Sequence, residues 1–548
     1  MILKNGFDEL EIIDGNFPME EDNQGKFFWT KKIFNITFKR PLQHGVMINM
    51  QTPMAGNKCV VSYGDIKETL ALVNGWHTYS IFVTEGVQRV GFKVDKVFVP
   101  GNDGRELGVC IRSIRSIKHD EYEIAKLIKE KNTNAILNER EFCEGKTILK
   151  SVPVNIAIGT ETRCNIGEND PCVYCDYNWN IEHLEKYKMT PFSLERMKDY
   201  GDFFALADKV IDCSIGEPFM NKEFTAIIDA ATQNKIFSFT TNGQLLNQNS
   251  INAVVGKAID IYCSVDAACA ATYAKYRNNN YDKVIKNIRK LCQEKQQYNN
   301  LPNVYISYLV MNSNKNELLT FVQQMKDINV DCIVLRRLNK WTSITEPVKK
   351  GDYTFNYADE IILDNEFNPL ADEAIKLAKK LGIKIIDQGR EFTEIGNKNI
   401  DKNNIESVKN SVNENDRNKM LPLCADPWKT SYFLTGGIKP CCYGIEIAEW
   451  NKKPDNMEMN DYLKKVFNGD KMQDIRSHLA KGEFSDYCLM MKSCPVVAKY
   501  KGEIRSVVYS TEHDIFESNN GNNKEKTVNN NIADNLEMSG ISIKNVKI

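Results

Sequence analysis

The strongest constraint on this chain is an alternation that occupies its middle third. Short apolar runs at 154–159, 209–214, 237–241, 258–264, 303–311 and 332–335 are separated by stretches of helical length and pattern at 193–205, 222–233, 247–255, 281–295 and 315–327. Repeated strand-then-helix units require a parallel sheet with helices packed outside it. About six units are too few for a closed eight-fold barrel, so the spacing predicts a partial (β/α)6 barrel over 151–345.

A cysteine loop follows the first strand of that region. It reads Arg163-Cys164-Asn165-Ile166-Gly167-Glu168-Asn169-Asp170-Pro171-Cys172-Val173-Tyr174-Cys175. Ligands bind past the carboxyl ends of strands in such sheets, so the position is a functional one. Three thiolates on one loop can hold three irons of a cubic iron–sulfur cluster and leave the fourth iron open. A structural zinc site using Cys172-x-x-Cys175 as one knuckle, or cysteines that are merely buried, remain alternatives at this point.

Size and charge narrow the classes. A chain of 548 residues suggests about three domains. The formal net charge of -2 provides no basic field for nucleic acid or an anionic membrane. No apolar run is long enough to span a bilayer, and Met1-Ile2-Leu3-Lys4-Asn5-Gly6 is not a signal peptide. A cytoplasmic protein is expected. The 16 cysteines fall into two clusters plus scattered singles, which suits metal ligation in a reducing compartment better than disulfides.

Residues 1–120 read as strands at 33–38, 45–51, 58–63, 77–83, 87–94 and 107–117, with turns such as Pro100-Gly101-Asn102-Asp103-Gly104 between them. This predicts an all-β antiparallel sandwich. The segment 105–112 and the pattern Phe27-Phe28-Trp29-Thr30 resemble a sandwich found beside glycan-modifying enzymes. A sugar-binding or substrate-holding module and a packing or dimerisation domain are equal readings. Cys59, Cys110 and Cys143 lack ligand spacing and are expected to be buried. Residues 121–150 are read as a helical connector, with helices at 121–131 and 135–142.

In the middle region the motifs resemble the radical S-adenosylmethionine (SAM) superfamily. The cysteine loop comes first, with Tyr174 in the aromatic place before the third cysteine, where the family packs a ring near the SAM adenine. Ser214-Ile215-Gly216-Glu217-Pro218 resembles the family's GGEP motif, with Ile215 in place of the first glycine. Thr240-Thr241-Asn242-Gly243 resembles its TNG turn. Ser264-Val265-Asp266 and the following Tyr273-Ala274-Lys275-Tyr276-Arg277 resemble its S-x-D and Y-x-x-x-R run. The resemblance implies that Gly216, Glu217, Thr241, Asn242, Ser264 and Tyr174 line SAM and that Arg277 pairs with its carboxylate. Asn312 lies in a region that usually lines SAM. It also implies a [4Fe-4S] cluster on Cys164, Cys172 and Cys175, and reductive cleavage of SAM to a 5′-deoxyadenosyl radical that takes hydrogen from a substrate. One departure is the seven residues between Cys164 and Cys172, where the family usually has three. Residues Gly167 to Pro171 are loop formers, expected to bulge out without moving the two ends.

Residues 346–415 contain one β-α-β-like piece (371–381, then 383–387) and a polar linker at 397–417. Residues 416–500 hold the second cysteine set: Cys424-Ala425-Asp426-Pro427-Trp428, a glycine turn at Gly436-Gly437, Pro440-Cys441-Cys442, a helix at 472–480, then Cys488 and Cys494-Pro495. This resembles the SPASM or twitch extension of radical SAM enzymes. It implies one auxiliary [4Fe-4S] cluster on Cys424, Cys441 or Cys442, Cys488 and Cys494, with a four-thiolate zinc site as the alternative. Residues 501–548 are too polar to form a core and are expected to be disordered.

The expected function is a radical SAM oxidoreductase, reduced by a flavodoxin or ferredoxin, acting on a small molecule, a sugar or a cell-surface glycan precursor. A SPASM-type peptide or protein maturase is the alternative within enzymes. A zinc-stapled scaffold without catalysis is the alternative outside them. No catalytic residue is assigned. Tyr305, Tyr308, Arg336 and Arg337 lie on late strands and could line the pocket.

Overall fold

The computed structural model describes residues 7–491, Cys494, Val496 and Val497, except 23–24, 55, 74, 101–103, 168–169, 176–191, 339–345, 389–420 and 435. The linker at 397–417 and the tail at 501–548 lie outside the described residues.

The middle of the chain forms the expected parallel sheet. All six strands are present in sequence order: Asn155–Ile158, Lys209–Asp212, Ile236–Thr241, Ile259–Ser264, Asn303–Val310 and Cys332–Arg337. The sheet is wider than the six-unit reading. Lys384–Asp387 pairs parallel with the sixth strand, and Thr430–Leu434 pairs parallel with the first. Gly437–Lys439 then turns back antiparallel and closes a nine-stranded sheet. The segment carrying the second cysteine set is thus stitched to the first strand of the core. Local pattern could show that Thr430–Leu434 was a strand, but not where it would pair.

Alternation along each strand separates two faces. Ile156, Val210, Phe237, Ile261, Ile306 and Ile333 pack under the helices in one large core. On the opposite face, Tyr262, Tyr305, Cys332, Val334 and Ile386 form a smaller cluster. Near the amino ends of the strands this inner face holds a buried ion pair, with Lys209 Nζ 3.4 Å from Asp260 Oδ2. Asn303 Nδ2 donates to Asp260 Oδ1 at 2.9 Å. Farther toward the carboxyl ends, Ser264 and Ser307 are register partners, as are Leu309 and Arg336. Among the described residues, the inner face carries polar side chains that the apolar helix face lacks.

The N-terminal region is an antiparallel nine-stranded sheet folded about one 14-residue strand, Gly25–Phe38. One end of that strand pairs through Phe28 and Trp29 with Cys110–Ser116. The other end pairs through residues 33–37 with Arg89–Val94. Both halves bury side chains in one core, in which Phe34 and Phe92 stack at 4.6 Å. The strands Leu10–Asn16, Glu20–Asp22 and Ile66–Ala71 add to those expected. They are edge strands with few buried residues, so their alternation is weak. Cys59 and Cys110 are buried as expected, whereas Cys143 is half-exposed.

Two helical expectations change. The connector is one unbroken helix of 22 residues, Tyr122–Cys143. Its buried asparagines interrupt the apolar pattern, and each makes a specific contact. Asn132 donates to Thr78 O in the sandwich, Asn134 to Val152 O in the core, and Asn138 to Trp428 O beside the second cysteine set, all at 2.9 Å. The helix expected over 193–205 is two, Leu194–Asp199 and Asp202–Ala205, broken at Gly201. That glycine adopts φ 54° with Asn460 against it, where a Cβ would come within 2.7 Å.

The long helix also fixes where the sandwich attaches. Lys131 Nζ lies 3.0 Å from Asp208 Oδ1 and donates to Asn234 O at 2.6 Å. Val152, Asp208 and Asn234 precede the first, second and third strands of the core. The sandwich therefore joins the core at the amino ends of its strands, opposite the end where the cysteine loop emerges.

Candidate active site and second cysteine site

The carboxyl ends of the first four core strands bring the expected residues together. Cys175 N–H donates to Cys172 O at 2.9 Å, forming a tight turn that draws the second and third cysteines together. Val173 N–H donates to Tyr276 O at 3.0 Å and pins the loop to the carboxyl end of the helix Ala270–Tyr276 that follows the fourth strand. Burial raises the thiol pKa values of Cys164 and Cys172, and the Arg277 guanidinium opposes that rise in both.

The Ser214–Pro218 turn folds back onto this loop. Gly216 N–H donates to Glu161 O at 3.1 Å, and Glu217 N–H donates to Arg163 O at 2.8 Å. A Cβ on Gly216 would lie 2.1 Å from Arg163 O, so no other residue fits without moving the backbone next to Cys164. Ile215, where the family has its first glycine, is accommodated. Glu217 is 1% exposed. Its carboxylate accepts from Thr241 Oγ1 and from Asn242 N–H, each at 2.7 Å. Burial dominates these bonds and raises the Glu217 pKa to about 7.

Asn242 links this turn to the cysteines. Its Nδ2 donates to Asn165 Oδ1 at 2.8 Å and lies 3.8 Å from Cys164 Sγ, while its Oδ1 accepts from Gln244 N–H at 3.0 Å. Asn165, within the cysteine loop, donates in turn to Gln244 Oε1 at 3.1 Å. The sequence offered no signal for Asn165 or Gln244 beyond their nearness to the motifs.

Arg277 is engaged inside the protein. Its Nη2 and Nε donate to Asp266 Oδ2 at 2.7 and 3.0 Å, and its Nη1 lies 3.9 Å from Cys172 Sγ. Tyr174 donates its hydroxyl to the same Asp266 oxygen, and Arg277 lies over its ring at 5.6 Å from the centroid. Asp266 Oδ1 accepts from Leu309 N–H at 2.8 Å. Asp266 is thus the hub that orients both residues assigned from the resemblance. It was visible as the acid of the S-x-D run, but its partners were not. Ser264 is half-buried at the end of its strand. Asn312 faces the short helix Tyr357–Glu360, donating to Asp359 O at 3.0 Å, and is removed from this network.

Of the late-strand candidates, Tyr308 is packed in the helix-side core and donates to Asn314 O at 3.1 Å. Arg337 covers the Phe367 ring at 4.0 Å. Tyr305 and Arg336 face inward. Tyr305 stacks on Tyr262 at 4.8 Å, and Arg336 lies 5.9 Å from the Tyr262 ring centroid. The Arg336 Nε is buried with no hydrogen-bond partner among the described residues.

The second cysteine set lies elsewhere. Cys424, Cys441, Cys442, Cys488 and Cys494 line one cavity with mostly apolar neighbours, among them Pro427, Ile475, Leu479, Phe484 and Val497. Cys424 precedes the strand Thr430–Leu434, and Cys441 follows the strand that returns beside it, so the cavity sits toward the amino end of the sheet. Burial first, then Asp426, holds the Cys424 and Cys441 thiols far above their ordinary pKa in the metal-free protein. Cys442 Sγ instead faces Asp426 Oδ2 at 3.8 Å. Below the cavity Trp428 is fully buried and donates to Lys146 O at 2.8 Å. Arg476, also fully buried, donates to Pro427 O and Thr147 O, both at 2.9 Å.

The donor sets can be weighed against single ions. Among the described residues, no three or more His, Cys, Asp or Glu side chains are gathered as one metal ion would need. Around a single zinc the thiolate sulfurs lie within about 4 Å of one another. No described helix is long and apolar enough to cross a membrane.

The first cysteine loop falls within the range that matches a known family. Residues 161–325 match the Radical SAM superfamily. No curated protein is similar enough to match. Among solved structures, the chain is similar to Streptococcus suis SuiB at 15% identity and TM-score 0.43, over 67% of this chain and 74% of that one. It is also similar to anSMEcpe with bound AdoMet and Cp18Cys peptide, at 12% identity and TM-score 0.36, over 64% and 98% of the two chains. At this similarity neither structure transfers a substrate to this chain.

Proposed function

We infer, from a chain whose residues 161–325 form a radical SAM domain, an enzyme that holds a [4Fe-4S] cluster on Cys164, Cys172 and Cys175. SAM would be held by Gly216, Glu217, Thr241, Asn242 and Ser264. When bound, the cluster and SAM supply a 5′-deoxyadenosyl radical that abstracts hydrogen from the substrate. The observation that carries the reading is the continuous network at the strand ends: Glu217 receives Asn242 N–H, and Asn242 Nδ2 lies beside Cys164 Sγ.

The protein's own contribution is orientation and exclusion. Gly216 lets the SAM-binding turn close on the cysteine loop. Asp266 holds Arg277 against Cys172 and Tyr174 against Arg277, so these two act on the cluster's surroundings and not as free ligands for a carboxylate. An NH donor beside a ligating sulfur raises a cluster's potential. Val173, Tyr276, Met311, Phe355 and Tyr357 form an apolar group beside the loop that keeps water away.

The second set would hold an auxiliary [4Fe-4S] cluster through Cys424, Cys441, Cys488 and Cys494. Cys441 is preferred over Cys442 because Cys442 is turned toward Asp426. A flavodoxin or ferredoxin is the reductant expected for the first cluster.

For the substrate we propose a polar molecule with an acidic group, bound on the inner face. Ser264, Ser307, Tyr262 and Tyr305 offer hydroxyls and ring faces there, and Arg336 offers a guanidinium whose buried Nε has no hydrogen-bond partner among the described residues. The sugar or glycan expectation rested on the sandwich. That domain joins the core at the far end of the strands and lends it no weight. An acidic sugar and an acidic peptide both meet the inner-face chemistry.

The test is anaerobic, reduced protein incubated with SAM and assayed for 5′-deoxyadenosine. Formation by the wild type and loss in Cys164→Ala support the reading. Wild-type protein that carries its iron yet forms no nucleoside overturns it.

A further inference from the structure

We propose that Lys350 is a positioning residue for the first cysteine loop, compensating for the loop's long spacer. This rests on the reading that Cys164, Cys172 and Cys175 hold a cluster. Lys350 lies on a two-stranded hairpin, Val348–Lys350 with Tyr353–Phe355, that follows the sixth core strand. Its ammonium lies 2.8 Å from Asp170 Oδ1 and donates to Asp170 O at 3.0 Å and to Pro171 O at 3.1 Å. An ammonium has three N–H donors, and these acceptors match all three. The Lys350 side chain is only 9% exposed. Asp170 and Pro171 are the two residues immediately before Cys172.

Among the described residues, both ends of the spacer are held, although its sequence is loop-forming. Its first part is anchored by Ile166, 3% exposed, whose carbonyl accepts Asp170 N–H at 3.1 Å. Its last part is held by Lys350. The same hairpin covers the residues after the spacer: Phe355 meets the Tyr174 ring at 6.3 Å, and Tyr353 meets Tyr276 at 5.9 Å. Tyr353 in turn donates to Glu360 Oε1 at 2.7 Å.

The physical need is plain. Three thiolates must converge on one cluster, and every unfixed residue between them adds configurations that ligation must remove. A buried cation chelating two consecutive carbonyls removes them in advance. It also brings a second positive charge, beside that of Arg277, close to Cys172. Outer partners of metal ligands typically change metal affinity by roughly 10–100-fold.

The experiment follows iron release to a chelator from the anaerobically reconstituted full-length protein, together with the electron paramagnetic resonance signal of the reduced first cluster. Lys350→Met keeps the aliphatic stem and loses all three contacts. First-site iron should leave roughly 10–100-fold faster, with an altered first-cluster signal, while second-site iron leaves at the wild-type rate. Lys350→Arg should recover most of the retention, and Asp170→Asn, which spares both carbonyl contacts, should change it less than Lys350→Met does. Wild-type first-site retention and signal in Lys350→Met would overturn the proposal. Equal loss from both sites, with a lowered melting temperature of the metal-free protein, would mean a general structural role and would also overturn it. Wild-type protein without first-site iron would instead remove the cluster reading on which the proposal stands.

Discussion

The two cysteine sites differ in what surrounds their thiols. The first has three cysteines on one loop, set among polar groups that belong to other elements: Asn242 beside Cys164, Arg277 beside Cys172, and Lys350 on the spacer. The second has five cysteines drawn from four places in the C-terminal region, in an apolar cavity whose carboxylate, Asp426, faces Cys442. A site with fewer protein ligands than its metal needs keeps a position for chemistry. A site with enough ligands is closed. On the proposed reading the contrast suits SAM chemistry at the first site and either electron transfer or bracing of the C-terminal region at the second.

The largest effect should come from the second site itself. Cys441→Ala should remove its cluster, about four irons, while Cys442→Ala should keep the iron. Iron and sulfide analysis of the two variants decides this, and the opposite result would exchange the two residues' roles.

A large effect at the first site is expected from Arg277→Met. It leaves Asp266 buried and unpaired, which costs about 3–5 kcal/mol in comparable cases. Adding Asp266→Asn should return part of that stability. Denaturant unfolding of the metal-free proteins reads both, and a single variant as stable as wild type would show that the pair does not hold the strand ends.

The Glu217 carboxyl gives the first site a pH signature between about 4.5 and 7, below the range where the buried thiols of either site titrate. Its folded pKa of about 7 lies above the ordinary 4.5, so the folded protein binds more protons than the unfolded chain in between. Its contribution to stability is therefore fully present below about pH 4.5 and lost as pH rises through about 7, by about 3 kcal/mol in all. Glu217→Gln should remove that component of the slope in metal-free protein, whatever it does to stability at any one pH. Asp212, raised by burial to about 6, slopes the same way and should remain.

The smallest expected effect is that of Asn242→Ala, about 2 kcal/mol for the lost bonds to Asn165 and from Gln244 N–H. If the Cys164 contact matters, the reduction potential of the first cluster should fall with it. An unchanged potential would limit Asn242 to holding the turn.

Much of the core was legible because its strands carry their own signals. The apolar runs from 154 to 335 and the turns after them pointed to six strands and to nearly every residue at their ends. What was not legible was pairing across distance. Thr430–Leu434 reads as a strand, yet nothing in it says that it joins Asn155–Ile158. Asp266 stands in plain view two residues after Ser264, but that it takes both Arg277 and Tyr174 depends on packing. Lys350 had no signal at all: it is one lysine among many, made specific by where its hairpin folds. The helix Tyr122–Cys143 was split in the reading because buried asparagines look like breaks, though each one bonds a different region.

The account stands most directly on iron and sulfide content measured in three full-length proteins: wild type, Cys164→Ala/Cys172→Ala/Cys175→Ala, and Cys424→Ala/Cys441→Ala/Cys488→Ala/Cys494→Ala. Two separate clusters predict about eight irons in the wild type and about four in each variant. With SAM and reductant, nucleoside formation should be lost in the first variant. Zinc in place of iron, or loss of all iron from either variant alone, would contradict two independent sites of different kinds.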